Sequence, residues 1–281
     1  MRQSWWILAK PSVRICEQVR LAVGLEYDGA CFCGWQSQPN GGGGQDAAQQ
    51  AFAVLAGKNT AVHAAGRTDA GVHASLQIAH LDVDIWRQAS AWTFGANAYL
   101  PKGMRVLWTR PVAADFHARY MARRRTYQYV ILNRPIGSAI VGGALAHHRA
   151  PLSLSAMQEA AAQLIGEHDF SAFRAASCQA KHARRHLFAA CVSRHGDLII
   201  MDFCANGFLH HMVRNMVGAL LQVGRGRRPP SWLGELLQEG DRSLAAPTAP
   251  AAGLYFVGAE YPRRFEIAEY YRPPPFLLAM P

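Results

Sequence analysis

Hydrophobic and polar residues alternate in several short segments of the chain, which is the pattern of half-buried β-strands. Residues 21–27 alternate in this way, and Asp28-Gly29 predicts a turn directly after them. Similar alternating or apolar segments predict further strands over residues 76–83, 104–108, 127–132, 187–193, 197–204 and 254–261. In the segment 127–132, the alternation places Tyr127 and Tyr129 on the same face of the strand.

Apolar residues spaced three and four positions apart predict helices between these strands. The pattern covers residues 45–56, 154–165, 209–223 and 232–238. Ser155 with Gln158 would form a capping box near the start of the second helix, and Gly166 would end it. Residues 90–100 fit a short helix or an irregular connection, and residues 168–174 fit a loop.

Each half of the chain holds several strands and one well-formed helix, which predicts an α+β fold of two similar lobes. Residues 135–151 contain glycine and proline without periodicity and predict the connection between the lobes. The expected division is an N-terminal extension over 1–18, an N-terminal lobe over 19–134, a C-terminal lobe over 152–262 and a tail over 263–281. The Pro-rich tail is expected on the surface or mobile.

Composition points to a polyanionic partner, because the net charge of the 281 residues is +10. The basic residues are 25 Arg and only 4 Lys, a bias that suits RNA recognition but that a G/C-rich genome would also produce. Six cysteines are scattered without zinc-site spacing, and no apolar segment is long enough to span a membrane. We therefore expect a soluble, cytoplasmic protein with reduced thiols.

One acidic side chain, Asp69, lies in a segment otherwise made of small residues. Gly66 and Gly71 bracket it, and glycine permits sharp turns and the close approach of another molecule. The pattern predicts a strand that leads into a turn presenting Arg67 and Asp69. An ordinary Gly-rich hairpin, in which Thr68-Asp69 only supplies a turn hydrogen bond, explains the segment equally well.

The predicted helix 209–223 supplies a partner for this carboxylate. It is apolar round most of its circumference and carries Arg214, with His210 four residues before it and Gly218 four residues after it. A largely buried Arg needs a counter-charge, and Asp69 is the obvious candidate. A guanidinium beside Asp69 would keep the carboxylate ionised, as a nucleophile or base must be.

Other chemistries find little support in the sequence. No second carboxylate clearly joins Asp69, which disfavours a two-carboxylate glycosidase. The pairs His210-His211 and His147-His148 lack metalloprotease spacing, and phosphate-binding and dinucleotide-binding motifs are absent, so we expect no metal and no cofactor. Tyr127 follows three consecutive arginines, which suits base stacking beside phosphates, although either Tyr127 or Tyr129 could simply be a core residue.

Together these residues resemble the tRNA pseudouridine synthase A family over about residues 20–262. The most specific matching block runs without a break from Ala65 to His73 and contains Arg67, Thr68 and Asp69. The other matching blocks are Tyr27-Asp28-Gly29, Gly34-Trp35-Gln36, residues 115–119, Arg124-Arg125 with Tyr127 and Tyr129, residues 168–174, and residues 208–215.

The resemblance implies the pseudouridine synthase fold: two lobes, each a mostly antiparallel sheet with helices on one face, and an active-site cleft between them. It implies isomerisation of uridine to pseudouridine at positions 38, 39 and 40, in the anticodon stem-loop of tRNA, by a homodimer. Asp69 would be catalytic, Tyr127 would lie over the target base, Arg67 would hold the nucleotide out of the stack, and Arg214 would pair with Asp69.

Two questions stay open at this point. Asp69 could attack the sugar carbon or remove the 2′ proton, and the sequence favours neither. A basic RNA-binding module without catalysis, in which Asp69 is only a turn residue, is the alternative to an enzyme.

Overall fold

The computed structural model describes residues 15–267 and 269–277, so the predicted extension over 1–18 lies outside the described residues except for its last four. Those four belong to a strand, because the first strand starts at residue 15 rather than near residue 21. The strands are β1 Ile15–Tyr27, β2 His63–Ala64, β3 His73–Ile85, β4 Met104–Val112, β5 Arg124–Asn133, β6 Ala146–His148, β7 Gly166–Asp169, β8 Arg184–His195, β9 Leu198–Ala205 and β10 Leu254–Glu260. The α-helices are α1 Gly44–Ala56, α2 Ala89–Tyr99, α3 Leu154–Ala162, α4 Met212–Gly224 and α5 Trp232–Glu239.

The strands of both halves form one mixed sheet in the order β4-β1-β3-β10-β5-β9-β8-β7, with β2 paired to β3 and β6 paired to β5. Most neighbours are antiparallel, whereas β10 with β3 and β5 with β6 are parallel. The α+β prediction is confirmed. The last strand, β10, comes from the second half of the chain but lies between β3 and β5, which both belong to the first half.

All five helices pack on the same face of the sheet. Buried side chains from each helix, such as Phe52 of α1 and Met216 of α4, belong to one hydrophobic cluster. A smaller cluster on the opposite face includes Val130 and Tyr255, and Phe276 of the tail packs against it. Part of the predicted tail thus covers an apolar patch on the second face of the sheet. The Arg272 N–H also donates to the Val257 carbonyl at 2.8 Å.

Several predicted boundaries in the second half were wrong. Helix α3 ends at Ala162, and Gly166 starts β7, which replaces part of the predicted loop over 168–174. The predicted capping box is absent, because Ser155 lies inside the helix and Ser153 Oγ caps it by accepting from the Ala156 N–H. The predicted connection over 135–151 contains the short strand β6. Within the described residues, no helix is both long and apolar enough to cross a membrane.

Candidate active site

The segment between β2 and β3 forms the turn that carries Asp69. The Ala65 N–H donates to the Ile78 carbonyl at 2.7 Å, and the Val72 N–H donates to the Asp69 carbonyl at 3.1 Å. Gly71 has φ 78°, a left-handed conformation that favours glycine. The predicted hairpin thus exists, as the scaffold that presents the carboxylate.

Two other segments hold this turn from behind. The Trp35 N–H donates to the Thr68 carbonyl at 2.9 Å, and the hydroxyls of Thr68 and Tyr27 lie 2.8 Å apart in the core. A side chain at Gly29 would collide with the backbone of Val72, so only glycine permits this close approach. Residues 27–29 and 34–36 therefore support the turn that carries Asp69.

Three basic side chains surround the Asp69 carboxylate. His210 Nε2 lies 3.2 Å from Oδ1, His211 Nε2 lies 3.3 Å from Oδ2, and Arg214 Nη1 lies 3.5 Å from Oδ2. The predicted contact with Arg214 is present. The two histidine contacts were not predicted, because residues 210 and 211 were assigned to the helix and considered only as metal ligands.

The positions of both histidines depend on where α4 begins. The helix starts at Met212, three residues later than predicted, because His211 has left-handed backbone angles (φ 60°, ψ 4°). Such angles are unfavourable for a residue with a Cβ and are concentrated at functional sites. They place the first turn of α4 so that the side chains of His211 and Arg214 both reach Asp69.

Arg214 is anchored on its other side by the segment that leads to β10. Its Nε donates to the Ala249 carbonyl at 2.8 Å, and a side chain at Gly218 would collide with the carbonyl of Pro247. The backbone at Pro247 therefore packs directly against Gly218, one helical turn after Arg214. The guanidinium is largely buried, and its orientation towards Asp69 is fixed by this second contact.

Asp69, His210 and His211 could hold a metal ion by their chemistry, since one ligand atom from each lies within 4.8 Å of the others. The Arg214 guanidinium opposes this, because it lies 3.5 Å from a carboxylate oxygen that the metal would need. His210 also has a partner in Ser177, whose Oγ lies 3.0 Å from Nδ1. We interpret His210, His211 and Arg214 as a clamp that holds the Asp69 carboxylate, in which Arg214 is the permanent cation and burial lowers the pKa of His211.

The structure separates the two tyrosines that the sequence left equivalent. Tyr129 is a core residue whose hydroxyl donates to the Pro250 carbonyl at 2.9 Å. Tyr127 lines the cleft beside Asp69, and its ring is held edge-on between Phe208 and Phe256, with centroids 5.0 and 5.1 Å away. Burial, with smaller contributions from Tyr27 and Asp69, raises the pKa of Tyr127 far above its usual value, so the phenol is neutral at pH 7.

The site opens into a cleft of about 1400 Å³ that residues from both halves of the chain line. Asp69 is its single carboxylate among the described residues. The arginine and histidine side chains that line the cleft are Arg67, Arg119, Arg125, Arg184, Arg185, Arg214, His63, His117, His182, His210 and His211. The charge of the chain is thus concentrated where a polyanion would have to bind.

The fold is consistent with the pseudouridine synthase fold, and the family model described as tRNA pseudouridine synthase matches residues 160–262. Three proteins named tRNA pseudouridine synthase A, from Thiobacillus denitrificans, Methylobacillus flagellatus and Dechloromonas aromatica, are 53%, 52% and 51% identical to the chain. The alignments cover 89%, 86% and 86% of this chain and 96%, 93% and 93% of these relatives. The chain therefore belongs to the tRNA pseudouridine synthase A family.

Proposed function

We propose that the protein isomerises uridine to pseudouridine at positions 38, 39 and 40, in the anticodon stem-loop of tRNA. The observation that carries the proposal is the Asp69 carboxylate, which three basic side chains clamp and which is the single acidic group in the described lining of a cleft with six arginines. The relatives named tRNA pseudouridine synthase A supply the substrate and the reaction.

The chemistry needs no external reagent. The bond between N1 and the sugar carbon breaks, the uracil turns, and C5 bonds to the same carbon, while the C5 proton leaves and N1 gains a proton. The base must first leave the helix, since its glycosidic bond is inaccessible in the stack. Asp69 either attacks the sugar carbon or removes the 2′ proton. Both steps require the carboxylate form of Asp69.

Tyr127 has the position of a support for the flipped base. Its ring lies at the base of the cleft and is locked by Phe208 and Phe256, so it can stack without losing conformational freedom. Its raised pKa argues against a role as the base that takes the C5 proton, because a neutral phenol cannot accept it without a further acceptor. The imidazole nitrogens of His210 and His211 lie 3.2 and 3.3 Å from the Asp69 carboxylate, and a neutral imidazole can accept a proton.

Arg67 has the freedom that a wedge requires. Its side chain is exposed, lines the cleft two residues from Asp69, and makes no hydrogen bond or ion pair with any part of the chain that the structure describes. An unpaired guanidinium can stack on a base or occupy the gap that a flipped nucleotide leaves. We assign it the role of holding the target nucleotide out of the stack.

Replacing His211 by asparagine should lower turnover by about 10- to 100-fold and leave the folded state intact. Asparagine tolerates left-handed backbone angles and is a good helix N-cap, so the start of α4 is kept while the imidazole is lost. The measurements are single-turnover pseudouridine formation and the urea unfolding midpoint. Full activity in a folded His211→Asn protein would contradict a role for this imidazole in holding Asp69 or moving a proton.

Binding of tRNA should weaken steeply with added salt, because arginine contacts to phosphate release counterions. The Arg184→Gln variant should reduce the slope of log Kd against log salt by about 0.7 to 0.9, since Arg184 is exposed in the cleft. Arg227→Gln is the matched control, because Arg227 is exposed beyond the end of α4 and does not line the cleft. If the wild-type, Arg184→Gln and Arg227→Gln proteins had equal slopes of log Kd against log salt, the RNA would bind to another surface.

The deciding experiment maps pseudouridine in tRNA from cells with and without this protein, and in unmodified tRNA incubated with the purified protein. Pseudouridine at positions 38–40 that depends on the protein is the expected result. Binding of tRNA without any pseudouridine would favour the alternative of a non-catalytic RNA-binding module. The homodimer and the cytoplasmic location that the family resemblance implies stay predictions.

A further inference from the structure

Four aromatic rings contact one another in sequence at the edge of the cleft, apart from the residues around Asp69. They belong to His63, His80, His117 and Tyr120. The ring centroids of consecutive members are 5.0, 4.5 and 4.2 Å apart, from His63 to Tyr120; the first pair is stacked and the other two pairs are tilted. His80 is buried, whereas His63, His117 and Tyr120 line the cleft. Tyr120 ends this row of rings and is 73% exposed.

The loop that carries Tyr120 is held firmly in place, although the tyrosine itself is almost unburied. The backbone N–H groups of Arg119 and Tyr120 donate to His117 Nδ1 at 3.1 and 3.3 Å. The Ala118 N–H donates to His80 Nδ1 at 3.2 Å, and the Tyr261 hydroxyl donates to the Ala118 carbonyl at 2.6 Å. The loop therefore keeps an aromatic ring exposed in a fixed position, which is what a preorganised binding surface requires.

Arg125 connects this loop to the catalytic turn. Its Nε donates to the Ala65 carbonyl at 2.9 Å, and its Nη2 donates to the Arg119 carbonyl at 2.5 Å. Ala65 lies four residues before Asp69 in the same turn. The partly buried Arg125 thus links the Tyr120 loop to the turn that carries Asp69, so a ligand on Tyr120 would have a defined offset from the target base.

We propose that Tyr120 stacks on a second, unpaired nucleobase of the RNA substrate, outside the site that receives the target uridine. Every base offers a π-face, so such a site tolerates different sequences while it fixes the position of the strand. The Arg119 guanidinium lies 5.8 Å from the centre of the Tyr120 ring, where it can reach the phosphate next to the stacked base. The inference rests on the proposed function only for the identity of the ligand as RNA. The geometry of the site does not depend on that function.

The test compares Tyr120→Leu, Tyr120→Phe and the control Tyr99→Leu, since Tyr99 is also exposed (57%) but lies at the end of α2 outside the cleft. The probe is an anticodon stem-loop RNA that carries 2-aminopurine at one unpaired position at a time. We expect Tyr120→Leu to weaken binding by about 5- to 100-fold, chiefly as a higher KM, and to abolish fluorescence quenching at one loop position. Tyr120→Phe should bind within about twofold of wild type.

Wild-type affinity and quenching in a folded Tyr120→Leu protein would overturn the stacking site, and so would an equal loss in Tyr120→Phe, which would assign the effect to the hydroxyl. Equal loss in Tyr99→Leu would show a non-specific effect and also overturn it. These outcomes are separable from a failure of the proposed function. A wild-type protein that makes no pseudouridine but quenches the probe only when Tyr120 is present would overturn the function and keep the site.

Discussion

Replacing Asp69 by asparagine should abolish pseudouridine formation, with a loss of at least about 10⁴-fold in turnover, as for other residues that act directly on the substrate. Asparagine has the same shape but can neither attack the sugar carbon nor remove the 2′ proton at a useful rate. The affinity for tRNA should be unchanged or slightly higher, because the substitution removes the one negative charge of a cationic cleft. Single-turnover kinetics and filter binding measure the two effects separately.

Asp197→Asn is the matched control for this experiment. Asp197 is an exposed carboxylate between β8 and β9, 3.6 Å from Arg134 and outside the cleft, so its loss should affect neither binding nor turnover. An Asp69→Asn protein that forms pseudouridine at the wild-type rate would remove Asp69 from the mechanism. It would return the segment 62–74 to the hairpin interpretation, in which Asp69 serves only the turn.

The pairing of Asp69 with Arg214 could be predicted because it follows from a charge argument that needs no coordinates. A helix that is apolar on most faces cannot bury an arginine without a counter-charge, and the chain offers few carboxylates. The same argument could not find His210 and His211. The approach of both histidines to Asp69 depends on the left-handed backbone conformation of His211. This conformation makes α4 start at Met212, and the identity of residue 211 gives no local signal for it.

The sheet shows a similar division between local and long-range information. The alternation of apolar residues located β1, β4, β5 and β9, because it reflects which face of each strand is buried. It could not show that β10 lies between β3 and β5, since pairing partners far apart in the chain leave no local pattern. The short strands β6 and β7 were missed for the same reason: their strand geometry is imposed by the neighbours β5 and β8.

Replacing Arg214 by methionine should lower turnover by about 10²- to 10³-fold and also destabilise the fold, by about 1–3 kcal/mol. Methionine fits the largely apolar surroundings but offers neither the Nη1 contact with Asp69 at 3.5 Å nor the Nε bond to the Ala249 carbonyl at 2.8 Å. The carboxylate then loses its permanent cation, and the segment before β10 loses one of its anchors. Urea unfolding and single-turnover kinetics measure the two losses.

Two further variants separate the charge of Arg214 from its geometry. Arg214→Lys keeps the positive charge, but one ammonium group cannot reach Asp69 and the Ala249 carbonyl in the fixed fork of a guanidinium, so intermediate activity is expected. Arg227→Met is the control for the loss of an arginine, because Arg227 is exposed beyond the end of α4. Its turnover and its stability should match those of wild type. Unchanged activity and stability in Arg214→Met would show that the ion pair does not hold Asp69. A loss of stability with full turnover would reduce Arg214 to an anchor for residues 247–249, and the two histidines alone would then orient the carboxylate.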